Sequence, residues 1–260
     1  MSGARLSTLA SLQGAIDRLE SGVAETVRRT PLGHAEADAV LQGGLALGAL
    51  HEVFGDGRQA AAATGFVAGL ARRLADKSFL LWVRTDFAAR ENGELAMAGF
   101  AELGLDPRRI VVVRAPDAES ALRASADALA CNALGAVVTE LWGETRAFDL
   151  VASRKLTLAA MQSGVTALML RIAAAPQAST AETRWVVRAA HSPPLEGWGA
   201  PVLETSLIRN RHGQTGRWIM EWNCDACRFR EPQAHTRPLA AAPADRPHRT
   251  PLTAIERLAG

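Results

Sequence analysis

Leu41-Gln42-Gly43-Gly44-Leu45-Ala46-Leu47-Gly48-Ala49-Leu50-His51-Glu52-Val53-Phe54-Gly55 is the stretch on which the fold turns. Its paired glycines make a tight turn, and Leu50 to Phe54 reads as a short strand. Gly55 closes that strand, and an alanine-rich helix from Ala60 to Leu74 follows. Glycine turn, strand, glycine and helix are the setting of a P-loop, where backbone N–H groups and a helix N-terminus cradle phosphate. Such a loop needs glycine, four free positions, then Gly-Lys-Ser/Thr. Counted from Gly55, the three defining places hold Ala60, Ala61 and Ala62. Ala60 puts a methyl group where backbone must approach phosphate. Ala61 removes the cation that meets the β- and γ-phosphates, and Ala62 removes the hydroxyl that ligates magnesium. Lys77 and Lys155 are the chain's only lysines, and neither lies nearby. The nucleotide site is expected to be lost, so neither a cofactor nor catalysis is expected.

Working outward, strands alternate with helices. Phe79 to Val83 reads as a strand, Glu91 to Leu103 as a helix, and Ile110 to Arg114 as a strand after the Asp106-Pro107 turn. Asp117 opens a helix to Asn132 as its N-cap. Ala136 to Val138 is a buried strand, Leu150 to Ser163 a helix, and Thr166 to Ile172 a strand. Apolar strands separated by helices point to a mostly parallel sheet covered on both faces. Arg184 to Arg188, Val202 to Arg209 and Arg217 to Glu221 then read as antiparallel edge strands, with a hairpin loop at Asn210 to Gly216.

These elements resemble the core of the RecA superfamily over about residues 38–222, where a Gly-Gly-Leu turn precedes the strand and P-loop. The resemblance places a catalytic glutamate just after the second strand, where this chain has Arg84, Thr85 and Asp86. It places a magnesium-binding aspartate near Glu140, a vestigial Walker B carboxylate whose plainer reading is a solvated strand end. Leu103 to Val112 resembles the next helix-to-strand turn. A RecA-like core with Leu-His-Glu-Val-Phe-Gly and a degenerate P-loop most resembles the ImuA family of damage-inducible mutagenesis proteins, catalogued beside SulA. That likeness implies a non-catalytic accessory role in SOS mutagenesis and translesion synthesis. The partners it implies are an ImuB-like Y-family polymerase homologue and an error-prone DnaE-type polymerase, with a link to RecA. Three rivals share the fold: a SulA-like division inhibitor acting on FtsZ, a DNA-dependent ATPase in which Arg58 or Arg72 replaces the lysine, and a plain DNA-binding module, which the near-neutral charge makes less attractive.

The chain has 260 residues, a formal charge of +2, 48% hydrophobic and 22% charged residues. That is a globular balance, too near neutral to coat nucleic acid by charge alone. Its layout reads as soluble and cytoplasmic, without a membrane span. Arg146, Arg171, Arg209, Arg211 and Arg217 are candidate DNA contacts, because loops after the later strands face DNA in RecA-like folds. Trp218 and Trp222 are candidate base-stacking partners, although arginine for solubility and structural tryptophans explain the same residues. Cys224 and Cys227 have half the spacing of a zinc site; with no second pair, two ordinary thiols is the preferred reading and no metal is expected. His51 reads as a packed residue rather than a general base.

Residues 1–33 form an N-terminal helix and linker, 34–230 the RecA-like domain, and 231–260 a flexible tail rich in Pro, Ala and Arg. Leu9, Leu12, Ile16, Leu19 and Val23, continued by Val27, recur at helical spacing from Leu6 to about Arg29. That stripe is a candidate partner-binding face or a helix packed on its own domain.

Overall fold

The computed structural model describes residues 27–76, 78–192 and 199–232. Eleven strands and six α-helices alternate along them. β1 (Arg29–Thr30) and β2 (Leu45–Ala46) pair as a small antiparallel ribbon flanking α1 (Ala35–Val40). The remaining strands are β3 (Leu50–Gly55), β4 (Phe79–Thr85), β5 (Ile110–Ala115), β6 (Leu134–Trp142), β7 (Thr166–Ile172), β8 (Thr183–Ala189), β9 (Val202–Asn210), β10 (Gly216–Asn223) and β11 (Arg228–Arg230). They form one nine-stranded sheet in the order β11-β10-β9-β8-β3-β7-β6-β4-β5. From β8 to β5 every pairing is parallel, and from β8 to β11 every pairing is antiparallel. The sheet is therefore mostly parallel with an antiparallel flank. β3 lies inside it, between β7 and β8.

Side chains alternate across a strand, so each central strand feeds two cores. One face packs Val53, Trp82, Val138, Leu168 and Trp185 against α2 (Ala60–Ala75). The opposite face packs Leu81, Val83, Val137 and Met169 against α5 (Ala118–Ala128) and α6 (Leu150–Ser163). Phe66 of α2 meets Trp185 at 5.4 Å and Phe229 at 5.0 Å between ring centroids, which ties β8 and β11 to one helix. Asp149 and Gly164 bound α6 at the expected residues, the Asp149 carboxylate accepting from the Ala152 N–H at 2.8 Å.

Several expectations change. The helix expected over Glu91 to Leu103 is two short helices, α3 (Asp86–Asn92) and α4 (Met97–Glu102). Gly93 breaks it at φ +72°, and its carbonyl accepts a hydrogen bond from Arg84. α5 does start at the Asp117 cap but ends at Ala128, where fully buried Leu129 turns the chain into β6. Cys131 thus lies beyond the helix, exposed. The N-terminal helix does not reach Arg29, which pairs with Ala46 in β1, so the folded unit begins before residue 34. Leu9, Leu12, Ile16, Leu19 and Val23, with the rest of the chain before Val27, and the residues from 233 onward lie outside the described residues.

Candidate functional site

At the end of β3 the chain passes through Gly55, Asp56 and a 3-10 turn, Gly57–Gln59, into α2. Asp56 caps that turn through the Arg58 N–H at 2.8 Å. The Gln59 amide oxygen leaves α2 uncapped and accepts instead from the Ala189 N–H, 3.1 Å away at the end of β8. A Cβ at Gly55 would lie 2.6 Å from Ala63 Cβ and 2.9 Å from Ile172 Cδ1, so this glycine exists to let helix and strand touch. In the first turn of α2, Ala60 and Ala62 are buried and Ala61 is exposed. The turn presents methyl groups where a phosphate site needs a cation and a hydroxyl. Arg72 sits in the last turn and binds Asp76 at 3.1 Å, about 18 Å along the helix from that end. It is no substitute for the lysine.

Glu140 is not a solvated strand end. It lies on β6 with its side chain fully buried, and its two carboxylate oxygens are both taken. Arg84 of β4 donates to Oε1 at 3.0 Å and the Trp82 indole N–H donates to Oε2 at 2.9 Å. The Arg84 guanidinium, itself fully buried, also donates to the carbonyls of Gly93 at 2.8 Å and Ala88 at 3.3 Å. The arginine that follows the apolar run of β4 therefore neutralises the acid of β6 and braces the α3–α4 corner. Asp86 sits in the first turn of α3 and faces Arg114 at 3.3 Å, which also pairs with Glu94 at 2.5 Å.

A second buried charge cluster lies on the other face of the sheet. Glu52 of β3 accepts from Arg184 Nε at 2.6 Å, and Arg184 continues to Ser179 Oγ at 2.9 Å and to the Gln177 carbonyl. Arg171 of β7 is fully buried, and none of its three guanidinium nitrogens has a hydrogen-bond partner. Its charge is held between the rings of Phe148 at 5.3 Å and Phe54 at 5.9 Å. Burial pushes its pKa down, against the opposing pull of Glu52 and Glu144.

This placement corrects the DNA-contact set. Arg171 is inside the protein. Arg209 is half-buried and donates to the Ser179 carbonyl at 2.8 Å, and Arg217 is paired with Glu204 across β9 and β10. Of the five, Arg146 and Arg211 alone are exposed and outside any ion pair, at opposite ends of the sheet. Trp218 and Trp222 are buried, so neither is open to a base.

His51 is fully buried in a closed chain of hydrogen bonds. Trp185 Nε1 donates to Thr183 Oγ1 at 3.0 Å, Thr183 meets His51 Nδ1 at 2.7 Å, and His51 Nε2 meets the Ala46 carbonyl at 2.9 Å. A neutral ring that accepts at Nδ1 and donates at Nε2 satisfies every partner, and burial lowers its pKa to about 4. Cys224 and Cys227 flank the turn between β10 and β11, and burial raises the Cys224 thiol. Among the described residues no three His, Cys, Asp or Glu side chains gather in a metal-binding group, and no helix is long and apolar enough to cross a membrane.

No known family's sequence profile matches the chain, and no curated protein does. Sequence reasoning missed Arg84, Trp82 and the Glu52–Arg184 pair. For Arg84 and Glu52 the signal was present as a charge at an apolar strand, after Leu80 to Val83 and within Leu50 to Phe54; Trp82 gave none.

Proposed function

We propose that this chain is a non-catalytic accessory protein of damage-induced mutagenesis, a RecA-like domain of the ImuA kind whose nucleotide site has been given over to packing. The observation that carries the loss of catalysis is the pairing of two features. The first turn of α2 offers Ala60, Ala61 and Ala62, and the Glu140 carboxylate is consumed by Arg84 and Trp82. An ATPase needs a cation at the phosphates and a free acid for magnesium. Here Ala61 leaves the lysine position without a cation, and the acid is engaged inside the core. The RecA-like reading draws support from the glycine turn leading into β3, from the position of β3 between β7 and β8, and from the antiparallel flank that follows the parallel strands.

The partners come from the family resemblance, because a fold does not carry a function with it. In this reading the chain recruits or regulates an ImuB-like Y-family polymerase homologue and a DnaE-type polymerase, and it works in the cytoplasm. A sheet stabilised by apolar packing and internal ion pairs rather than by bound nucleotide suits a docking platform. Direct DNA contact, if it contributes, rests on Arg146 and Arg211. Affinity capture of the tagged protein from its native cells after DNA damage tests the reading. Recovery of both polymerases supports it, and recovery of FtsZ without them refutes it in favour of the division-inhibitor class.

A further inference from the structure

Among the described residues, α6 is covered on one side only. Val151, Leu158 and Met161 follow one another at spacings of seven and three, and they are 75%, 47% and 66% exposed. Helical geometry puts them on one side of the helix. Arg154 and Lys155 stand exposed beside them. At the C-terminal end of this stripe the surface opens into a cavity of about 630 Å³, lined by Val27, Leu47, Leu50, Met161 and Arg211 among others. Met161 belongs to both the stripe and the cavity. A contiguous apolar surface of this kind marks an interaction site.

Val27 is the first described residue, and it lines the cavity while itself 58% exposed. The chain ahead of it therefore leaves from the mouth of the cavity. Residues 24–26 can carry Val23 no farther than about 14 Å from Val27. From there back to Leu9 the sequence repeats apolar residues at helical spacing. Wound as a helix, residues 9–23 span about 22 Å, against about 21 Å for the fourteen residues of α6. Charge agrees as well. The segment carries Asp17, Glu20 and Glu25 against Arg18, and the surface they would meet carries Arg154, Lys155 and Arg211 against Glu182, so the net charges are opposite.

We propose that residues 9–23 dock on the outer face of α6 in the same molecule, with Val23 seated in the cavity beside Met161 and the apolar stripe of the segment covering Val151 and Leu158. The occupant is this chain's own segment rather than a second copy, because the short tether at residues 24–26 holds it at a high effective concentration. The inference stands independently of the polymerase reading.

Photo-crosslinking on the full chain tests it, with p-benzoylphenylalanine replacing Leu158 or, separately, Met161. The sample is an equal mixture of unlabelled and ¹⁵N-labelled protein. Crosslinks to peptides within residues 9–26 that carry one isotope only are expected, with a yield independent of protein concentration. Mixed-isotope crosslinks, or crosslinks that avoid residues 9–26, overturn the proposal. Trypsin supplies a second readout on proteins without the crosslinker. Cleavage after Arg18 should run faster in Met161→Glu and Leu158→Glu than in the unaltered protein, with far-UV circular dichroism confirming the fold. Equal cleavage rates overturn the proposal independently.

Discussion

Removing Arg84 should expose how much of this fold rests on one buried ion pair. Arg84→Met leaves the Glu140 carboxylate fully buried with only the Trp82 indole as donor, and it frees the carbonyls of Gly93 and Ala88. Breaking a buried pair from one side costs about 3–5 kcal/mol. For a domain of this size that lowers the Tm by roughly 6–20 °C. Glu140→Gln keeps an acceptor for Trp82 and leaves the guanidinium three oxygen contacts short of a full set, so it should cost about 2–3 kcal/mol. The double variant removes both charges, and its loss should fall below the sum of the two by about 2–3 kcal/mol. Urea unfolding at neutral pH, followed by far-UV circular dichroism, measures all four proteins. A cost under about 1 kcal/mol for Arg84→Met, or additive costs, would sink the reasoning. The Glu140 carboxylate would then be available for another ligand, and the case against magnesium binding would lose its second half.

Three other outcomes follow from the same geometry. His51 has its pKa lowered from 6.5 to about 4, so the unfolded chain takes up a proton first as pH falls. Its contribution, about 3 kcal/mol, is present above pH 6.5 and is lost between there and about pH 4; His51→Asn should flatten the stability–pH slope in that window, and an unchanged slope would refute the assignment. Gly55→Ala forces a methyl group to 2.6 Å from Ala63 Cβ and should destabilise by about 1–3 kcal/mol, measured as a shift in the urea midpoint; a neutral substitution would contradict the helix–strand contact. Arg171→Met replaces an unpartnered buried cation with an apolar chain of similar length, and by the burial argument it should leave stability unchanged or raise it by about 1–2 kcal/mol. A loss above about 2 kcal/mol in thermal unfolding would mean that the two rings and the nearby Glu52 offset the desolvation.

How much of this was legible depends on the range of the interaction. α6 could be read to the residue because both its ends are local: an aspartate that caps and a glycine that stops. β7 was equally plain, an apolar run after Gly164 interrupted only by Arg171 before Ile172. The split between α3 and α4 was not, because apolar spacing continues across Gly93, where a positive φ ends α3 and the carbonyl turns to Arg84 nine residues back. β11 was missed because what makes it a strand is far away in sequence. Arg228-Phe229-Arg230 is too short to show a pattern, and it is a strand only because Phe229 packs on Phe66 and Trp222. At the site, the count from Gly55 was enough to put Ala60, Ala61 and Ala62 in the first turn of the helix after β3. The fate of Glu140 was not readable, since its partners stand 56 and 58 residues away on β4.

Under the proposed function, that distance bears on how a nucleotide site would have been replaced. An acid left over from a lost magnesium site, facing the core with no cation, would cost several kcal/mol to bury. Here it is matched by an arginine on the neighbouring strand, at the paired register of Arg84 and Glu140. The pair acts as a unit: either charge alone destabilises the sheet, and together with Trp82 it leaves neither carboxylate oxygen of Glu140 free. A protein that merely lacked the lysine could regain nucleotide binding by a reversion in the first turn of α2. This one could not, because Ala61→Lys restores a cation on the exposed face of α2 while Glu140 remains bonded to Arg84 and Trp82. Isothermal titration of Ala61→Lys/Ala62→Thr with ATP and magnesium should therefore show no heat of binding, and magnesium-dependent ATP binding by that variant would refute the claim that the carboxylate has been withdrawn.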